Sequence, residues 1–141
     1  MTEVLVASTV ATWGMVGLIW MVQVVHYPML VHYSAAVPGS AARDHAHRIT
    51  FVVGPLMAVE GVTALILLGW RPDGMGWLSA WAAAALLGVA LLSTVLVQVP
   101  LHGRLAQGHD PEAAASLLRT NWVRTIAWTA RGLVLALALA V

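Results

Sequence analysis

The sequence contains no cysteine and no lysine, a single phenylalanine, and little charge of either sign. Without cysteine there is neither a disulfide framework nor a thiolate metal site. All seven basic residues are arginines, offset by six acidic residues to a formal net charge of +1. That balance forms no basic patch, so no nucleic-acid partner is expected. Charged residues make up only 9% of the 141 positions, whereas an ordinary soluble domain carries roughly 25%. What fills the space is apolar: 60% of residues are hydrophobic and the mean hydropathy is +0.84. The composition predicts an integral membrane protein whose first partner is the lipid bilayer.

Four apolar runs are long enough to cross a bilayer, which takes roughly 20 residues at about 1.5 Å each. Val4–Val22 and Trp77–Leu101 carry no charge, Ile49–Trp70 carries only Glu60, and Thr125–Val141 carries only Arg131. Backbone amides in lipid must be satisfied internally, and runs of this length are read as helices and not strands. The expected fold is all-α, one four-helix membrane bundle over 1–141, with spans at about 4–33, 45–70, 77–102 and 119–141. Met1-Thr2-Glu3 lacks a positive leader and the first apolar run exceeds a leader's core, so it reads as the first mature helix. Arg43 and Arg48 flank the first loop, Arg104, Arg119 and Arg124 flank the third, and Arg71 alone marks the second. The positive-inside rule then places loops one and three in the cytoplasm and both termini outside, in the cell's inner (cytoplasmic) membrane, multi-pass. Trp13, Trp70, Trp77 and Trp122 fit interfacial anchoring, and Trp20, Trp81 and Trp128 fall deeper.

The few polar residues inside these runs are not scattered. Gln23, His26 and Tyr27 share a face at i, i+3, i+4, and Pro28 is expected to bend that helix or end its regular bonding. The segment Ser34–Ala42 reads as a turn, and helix two is expected to begin near Asp44, an acidic residue suited to a helix N-terminus. At about 100° per residue, His45 lies about 60° from Glu60 around the axis and His47 about 140° away, so His45 faces inward and His47 does not. Gly54-Pro55 is a candidate kink. Arg71-Pro72-Asp73-Gly74 is a turn. Gln98 and His102 share a face, with Pro100 between them and a third loop expected over Gly103–Asp110. Asn121, Arg124, Trp128 and Arg131 form one stripe over three turns of helix four.

Glu60 and Arg131 are the only ionisable groups well inside their spans, at comparable depth, where an isolated charge is expensive. They are expected to form a buried ion pair, either functional or serving only to fix helices two and four. Nearer the cytoplasmic end, His26, His45, His102, Asn121 and Arg124 come from all four helices. Three imidazoles from different helices can hold one transition metal, Cu, Fe or Zn, with an open position, although no short His–His ligand pair is present and imidazoles also gather at interfaces for packing reasons. The cofactor is otherwise unknown. Gln23, Tyr27, Gln98 and Trp128 are candidate substrate contacts. The plainer alternatives are interhelical bonding for the two glutamines, interfacial packing for Tyr27, and a topological charge for Arg124. His32, His47 and His109 read as solvated loop or interface residues.

The run Val99-Pro100-Leu101-His102-Gly103-Arg104-Leu105, followed by Asn121-Trp122-Val123-Arg124-Thr125, resembles small four-span bacterial membrane proteins of the anthrone-oxygenase-like group. Gln23–Pro28 and His45–Glu60 share that likeness, so most of the chain is covered. The resemblance implies a four-helix membrane fold and, in some members, oxygenation of an aromatic polyketide anthrone to a quinone. It makes His102, Asn121 and Arg124 the leading catalytic candidates, with His26 and His45 completing the cavity. Where those oxygenases carry a polar amide shortly after Val-Pro, this chain has His102, a departure that bears on substrate and reaction.

Three functions follow. The first is a membrane oxidoreductase of oxygenase-like type acting on a lipophilic small molecule, with His26 or His102 as metal ligand or general base. The second is an ion- or proton-coupled transporter using Glu60 and the histidines. The third is an accessory subunit in which the polar residues only specify packing. Association into a homo-oligomer stays open in each.

Overall fold

The computed structural model describes residues 1–33, 36 and 39–140. Among them there is no strand, and the chain folds as four helices: α1 (Thr2–Tyr33), α2 (Gly39–Gly69), α3 (Trp77–Leu105) and α4 (Pro111–Leu139). Each is long and apolar enough to cross a membrane. The molecule is inside-out relative to a soluble protein. Leu65, Leu78, Leu96 and Ile126 face outward, while Ser8, Thr12, Gln23, Glu60, Asn121 and Arg131 are buried. Such an exterior is stable against hydrocarbon and not against water.

Helix α1 packs on α2 and α4, and α3 packs on α4 and α2, so the four stand around a square. Apolar and polar layers alternate along its axis. One apolar layer holds Leu5, Leu67, Ala80, Ala83 and Leu135, a second Met15, Ile19, Ala90 and Trp128, and a third Val22, Tyr27, Leu105, Ala114 and Leu117. A polar layer lies in each gap, the upper around Arg131 and the lower around Arg124. The α1–α4 seam is tight enough that a Cβ on Gly132 would sit 3.3 Å from the Trp13 ring.

Two helices depart from regular α geometry in the same way. Val22–His26 in α1 and Thr94–Gln98 in α3 are π-helical turns, closed by Tyr27 N–H on the Val22 carbonyl and by Val99 N–H on the Thr94 carbonyl. Each precedes a proline, Pro28 or Pro100, whose ring crowds the carbonyl four residues earlier and whose nitrogen donates nothing. Widening the turn moves that carbonyl aside, so regular α bonding lapses at each proline, as expected at Pro28, while both helices continue beyond it as the expected spans 4–33 and 77–102 do. Helix α2 likewise runs through Gly54-Pro55 as one helix.

The boundaries differ from expectation at three places. Helix α2 begins at Gly39, not near Asp44, which sits a turn inside and pairs with Arg48 at 2.7 Å. The early start is possible because Gly39 has no Cβ: one placed there would meet the Ala106 carbonyl oxygen at 2.7 Å. Of the expected turn, Ser34, Ala35, Val37 and Pro38 lie outside the described residues. Helix α3 extends to Leu105, shortening the third loop. Helix α4 begins at Pro111, eight residues before the apolar span, because Asp110 caps it by accepting the Ala113 N–H at 2.8 Å and Pro111 suits the first helical position. That bond, with Arg104 beside it, holds the Asp110 carboxyl below its ordinary value. Between α2 and α3 the predicted turn forms, with Gly74 at φ 92° and the Arg71 guanidinium 3.4 Å over the Trp77 ring.

Candidate functional site

The upper polar layer is closed and saturated. Arg131 reaches across the bundle from α4, with its Nε 3.5 Å from Glu60 Oε1 on α2. It donates to Thr12 Oγ1 at 3.1 Å, to the Ala83 carbonyl at 2.6 Å and to Ser8 Oγ at 3.0 Å. Glu60 accepts from Thr12 at 2.8 Å and from Trp128 Nε1 at 3.1 Å. All four helices meet here, Glu60 and Arg131 are fully buried, and neither has an orphaned polar atom. Ser8 and Thr12, a helical turn apart on a charge-free run, escaped the sequence reading; that spacing was the available clue. Trp128, expected at the substrate, belongs to this layer through its bond to Glu60 and lines neither of the two chambers of the lower layer.

The lower layer is arranged differently. A cavity of about 370 Å³ opens among α1, α2 and α3 and is floored by Arg124 of α4. His26, Tyr27, Arg43, His45, Gln98 and His102 stand on its walls among apolar side chains such as Leu18, Ile49 and Val53. A second cavity of about 220 Å³, lined by Met29, Leu30, Tyr33, Ala41, Ala42 and Leu105, shares His26, His45 and His102 with the first. The three imidazoles therefore form the partition between two chambers.

Both π turns end at this partition. The first carries Gln23 and His26, with Tyr27 next; the second carries Thr94 and Gln98, with His102 one turn on. Tyr27 Oη lies 3.1 Å from His102 Nε2 and 3.5 Å from Gln98 Oε1. Gln98 Oε1 can only accept, so the single phenolic proton goes either to it, with Tyr27 Oη then free to accept from a protonated His102 Nε2, or to an unprotonated His102 Nε2. Gln98 also donates to Thr120 at 2.9 Å. Gln23 accepts from Asn121 at 2.8 Å and donates to the Leu118 carbonyl at 3.2 Å. The two glutamines do bridge helices; Gln98 also faces the cavity, and Gln23 and Asn121 sit behind its wall.

Two polar atoms of this layer are buried without a partner: Asn121 Oδ1 and Arg124 Nε. Arg124 is buried, with 9% of its surface exposed. The Tyr27 hydroxyl stands near enough to interact with it, and its guanidinium carbon is 5.4 Å from the Trp128 ring. Among the described residues no carboxylate forms an ion pair with it. A buried cation in this state is costly.

The metal reading gains no support from the geometry. His26 and His45 are stacked, with ring centroids 4.3 Å apart at 22°, so they present ring faces to one another and not converging lone pairs. His102 Nε2 is engaged by Tyr27. Among the described residues no group of three or more His, Cys, Asp or Glu is placed to hold a metal ion. His32, His47 and His109 are exposed, and His47 packs edge-on against Phe51. Arg43, which the sequence reading passed over as a loop charge, lines the cavity and donates to the Ala106 carbonyl.

Comparison with known proteins finds no matching family model, no matching curated protein and no matching solved structure. The likeness to the anthrone-oxygenase-like group rests on the sequence motifs alone.

Proposed function

We propose that this chain is a membrane-embedded enzyme that binds a lipophilic, oxygen-bearing small molecule in the cavity above Arg124 and carries out acid–base chemistry on it. The carrying observation is the Tyr27–His102 contact at 3.1 Å, set in a chamber of ligand size whose polar groups stand among apolar side chains. His102 is the general base, Tyr27 relays or holds the proton, and Arg124 orients a carbonyl or phenolate oxygen. The reading includes insertion in the inner membrane, with loops one and three cytoplasmic and both termini outside, as the arginine distribution favours. In the oxygenase-like version suggested by the motif resemblance, the base removes a proton from the activated carbon. Dioxygen is the oxidant, and anthrone plus O2 becomes quinone plus water, which balances atoms and electrons.

Glu60 lends the transporter alternative little support, since it lines neither chamber and its hydrogen bonds are all made. The test uses protein in lipid nanodiscs, with anthrone as probe and quinone absorbance as readout against empty discs. Wild type is expected to exceed the spontaneous rate at least about a hundredfold, within the range of one general base. His102→Ala is expected to return the rate to background while eluting as a folded species. Equal rates for wild type and empty discs would remove the oxygenase version, and equal rates for wild type and His102→Ala would remove His102 as the base.

A further inference from the structure

Arg124 is the one charged group on the cavity floor, and nothing on the described chain neutralises it. Arg131, two turns further along the same face of α4, shows what this bundle provides when a guanidinium is only structural: a carboxylate, two hydroxyls and a carbonyl. Arg124 has no carboxylate and only the Tyr27 hydroxyl within reach, and its Nε points to no protein acceptor. A second cation, Arg43, lines the same chamber, and no Asp or Glu does. The only fixed charges on the chamber are therefore positive, set among imidazoles, a glutamine and apolar side chains such as Leu18, Ile49 and Val53. Beyond the imidazole partition the second chamber continues the space with Met29, Leu30, Ala41, Ala42 and Leu105 and no charge except what the imidazoles carry.

We infer that the ligand of this site is a free lipophilic organic anion, with its acidic oxygens on Arg124 and its apolar body passing His26 and His45 into the second chamber. This rests on the reading of the cavity as a ligand site and adds to it the charge and extent of the ligand. A carboxylate or phenolate supplies the acceptor that Arg124 Nε lacks and the counter-charge it is denied. The first chamber, about 370 Å³, lies at the small end of the range for ligand pockets, which suits a single-bodied acid and not the two chains of a phospholipid. The stacked imidazoles are flat and half-buried, so they can part to let an apolar tail through without breaking a hydrogen bond to each other.

The experiment is equilibrium retention of dodecanoate, dodecyl sulfonate, methyl dodecanoate and dodecanol by the intact protein in phosphatidylcholine nanodiscs, corrected for empty discs. Both anions are expected to be retained at least about tenfold better than the two neutral analogues, the scale of one charge-assisted bond. Arg124→Gln is expected to abolish the preference while the neutral analogues still bind. Ala42→Trp, which fills the second chamber, is expected to weaken dodecanoate but spare hexanoate. Neutral analogues bound as tightly as the anions would overturn the inference and leave the cavity a ligand site. Binding of none of the four would remove the ligand site itself. If Arg124→Gln does not fold, the comparison of anions with neutral analogues on wild type decides alone. Repeating it with phosphatidylglycerol in the disc separates the sources: undiminished dodecanoate retention is expected, and its displacement by the anionic phospholipid would overturn the free-acid assignment.

Discussion

Arg124 and Arg131 stand two turns apart on the same face of α4, about 10 Å by helical rise, and both are buried. Arg131 is held by groups from α1, α2 and α3, and each polar contact it makes closes a gap between helices. Arg124 is held by almost nothing and faces open space. Two identical side chains on one stripe are thus used in opposite ways. The lesson is that a buried charge in such a bundle is diagnosed by its partners, not by its depth. A saturated guanidinium fixes helices, and an unsaturated one is available to something that is not part of the chain.

The comparison can be broken most forcefully at Glu60. Glu60→Leu leaves Arg131 buried with its counter-charge gone, and the expected loss is about 3–5 kcal/mol. It would be read as a steep fall in the fraction that stays monodisperse on heating in detergent. The double change Glu60→Leu with Arg131→Leu is expected to recover much of that loss, since removing both partners removes the stranded charge. A double variant no better than the single would show that the pair is not the source of the effect. Arg124→Leu sharpens the contrast from the other side. It removes a cation without a protein counter-ion, so stability is expected to stay within about 1 kcal/mol of wild type or to rise, while anion retention disappears. A loss as large as that of Glu60→Leu would mean Arg124 is structural as well.

The smallest effect is expected outside the spans, at Asp110. Its carboxyl is held below the ordinary value of 3.8, first by the Ala113 N–H and then by Arg104. A group depressed on folding contributes stability above its unfolded pKa and loses it as pH falls through the folded one. Asp110→Ala should therefore lower the thermal midpoint slightly at neutral pH and make no difference in strong acid. A gap between variant and wild type that is independent of pH would argue that the cap acts through packing alone.

Much of the architecture was legible because so few residues could say anything else. With four long apolar runs and charge almost absent, helices were the one secondary structure able to satisfy the backbone, and the 3.6-residue period put Asn121, Arg124, Trp128 and Arg131 on one face. Glu60 and Arg131 were likewise conspicuous as the two charges deep in their spans, and the structure has them in contact. What the pattern could not carry was anything that depends on exact phase or on backbone atoms. The 60° separation of His45 and Glu60 indicated a shared inward side, yet His45 stacks on His26 at the partition while Glu60 lies in the other layer. Trp128 shares a stripe with Arg124, but its indole N–H points the other way along the axis, to Glu60. The Ala83 carbonyl that receives Arg131 has no sequence signature at all. The start of α2 hinges on the space beside Ala106, a tertiary fact that Asp44, a good capping residue, could only obscure.

The two widened turns make the chamber a matter of residue count as much as of residue type. Each π turn holds one residue more than the α-helix around it would need. Deleting that extra position, Val24 or Val25 in the first case and Leu96 or Val97 in the second, would restore the ordinary spiral and swing everything beyond it by about 100°. Tyr27 or His102 would then face lipid, with no polar side chain altered. Length is therefore under tighter constraint here than chemistry: at these two places a conservative-looking deletion should erase the pocket, while many substitutions of the outward valines should pass unnoticed.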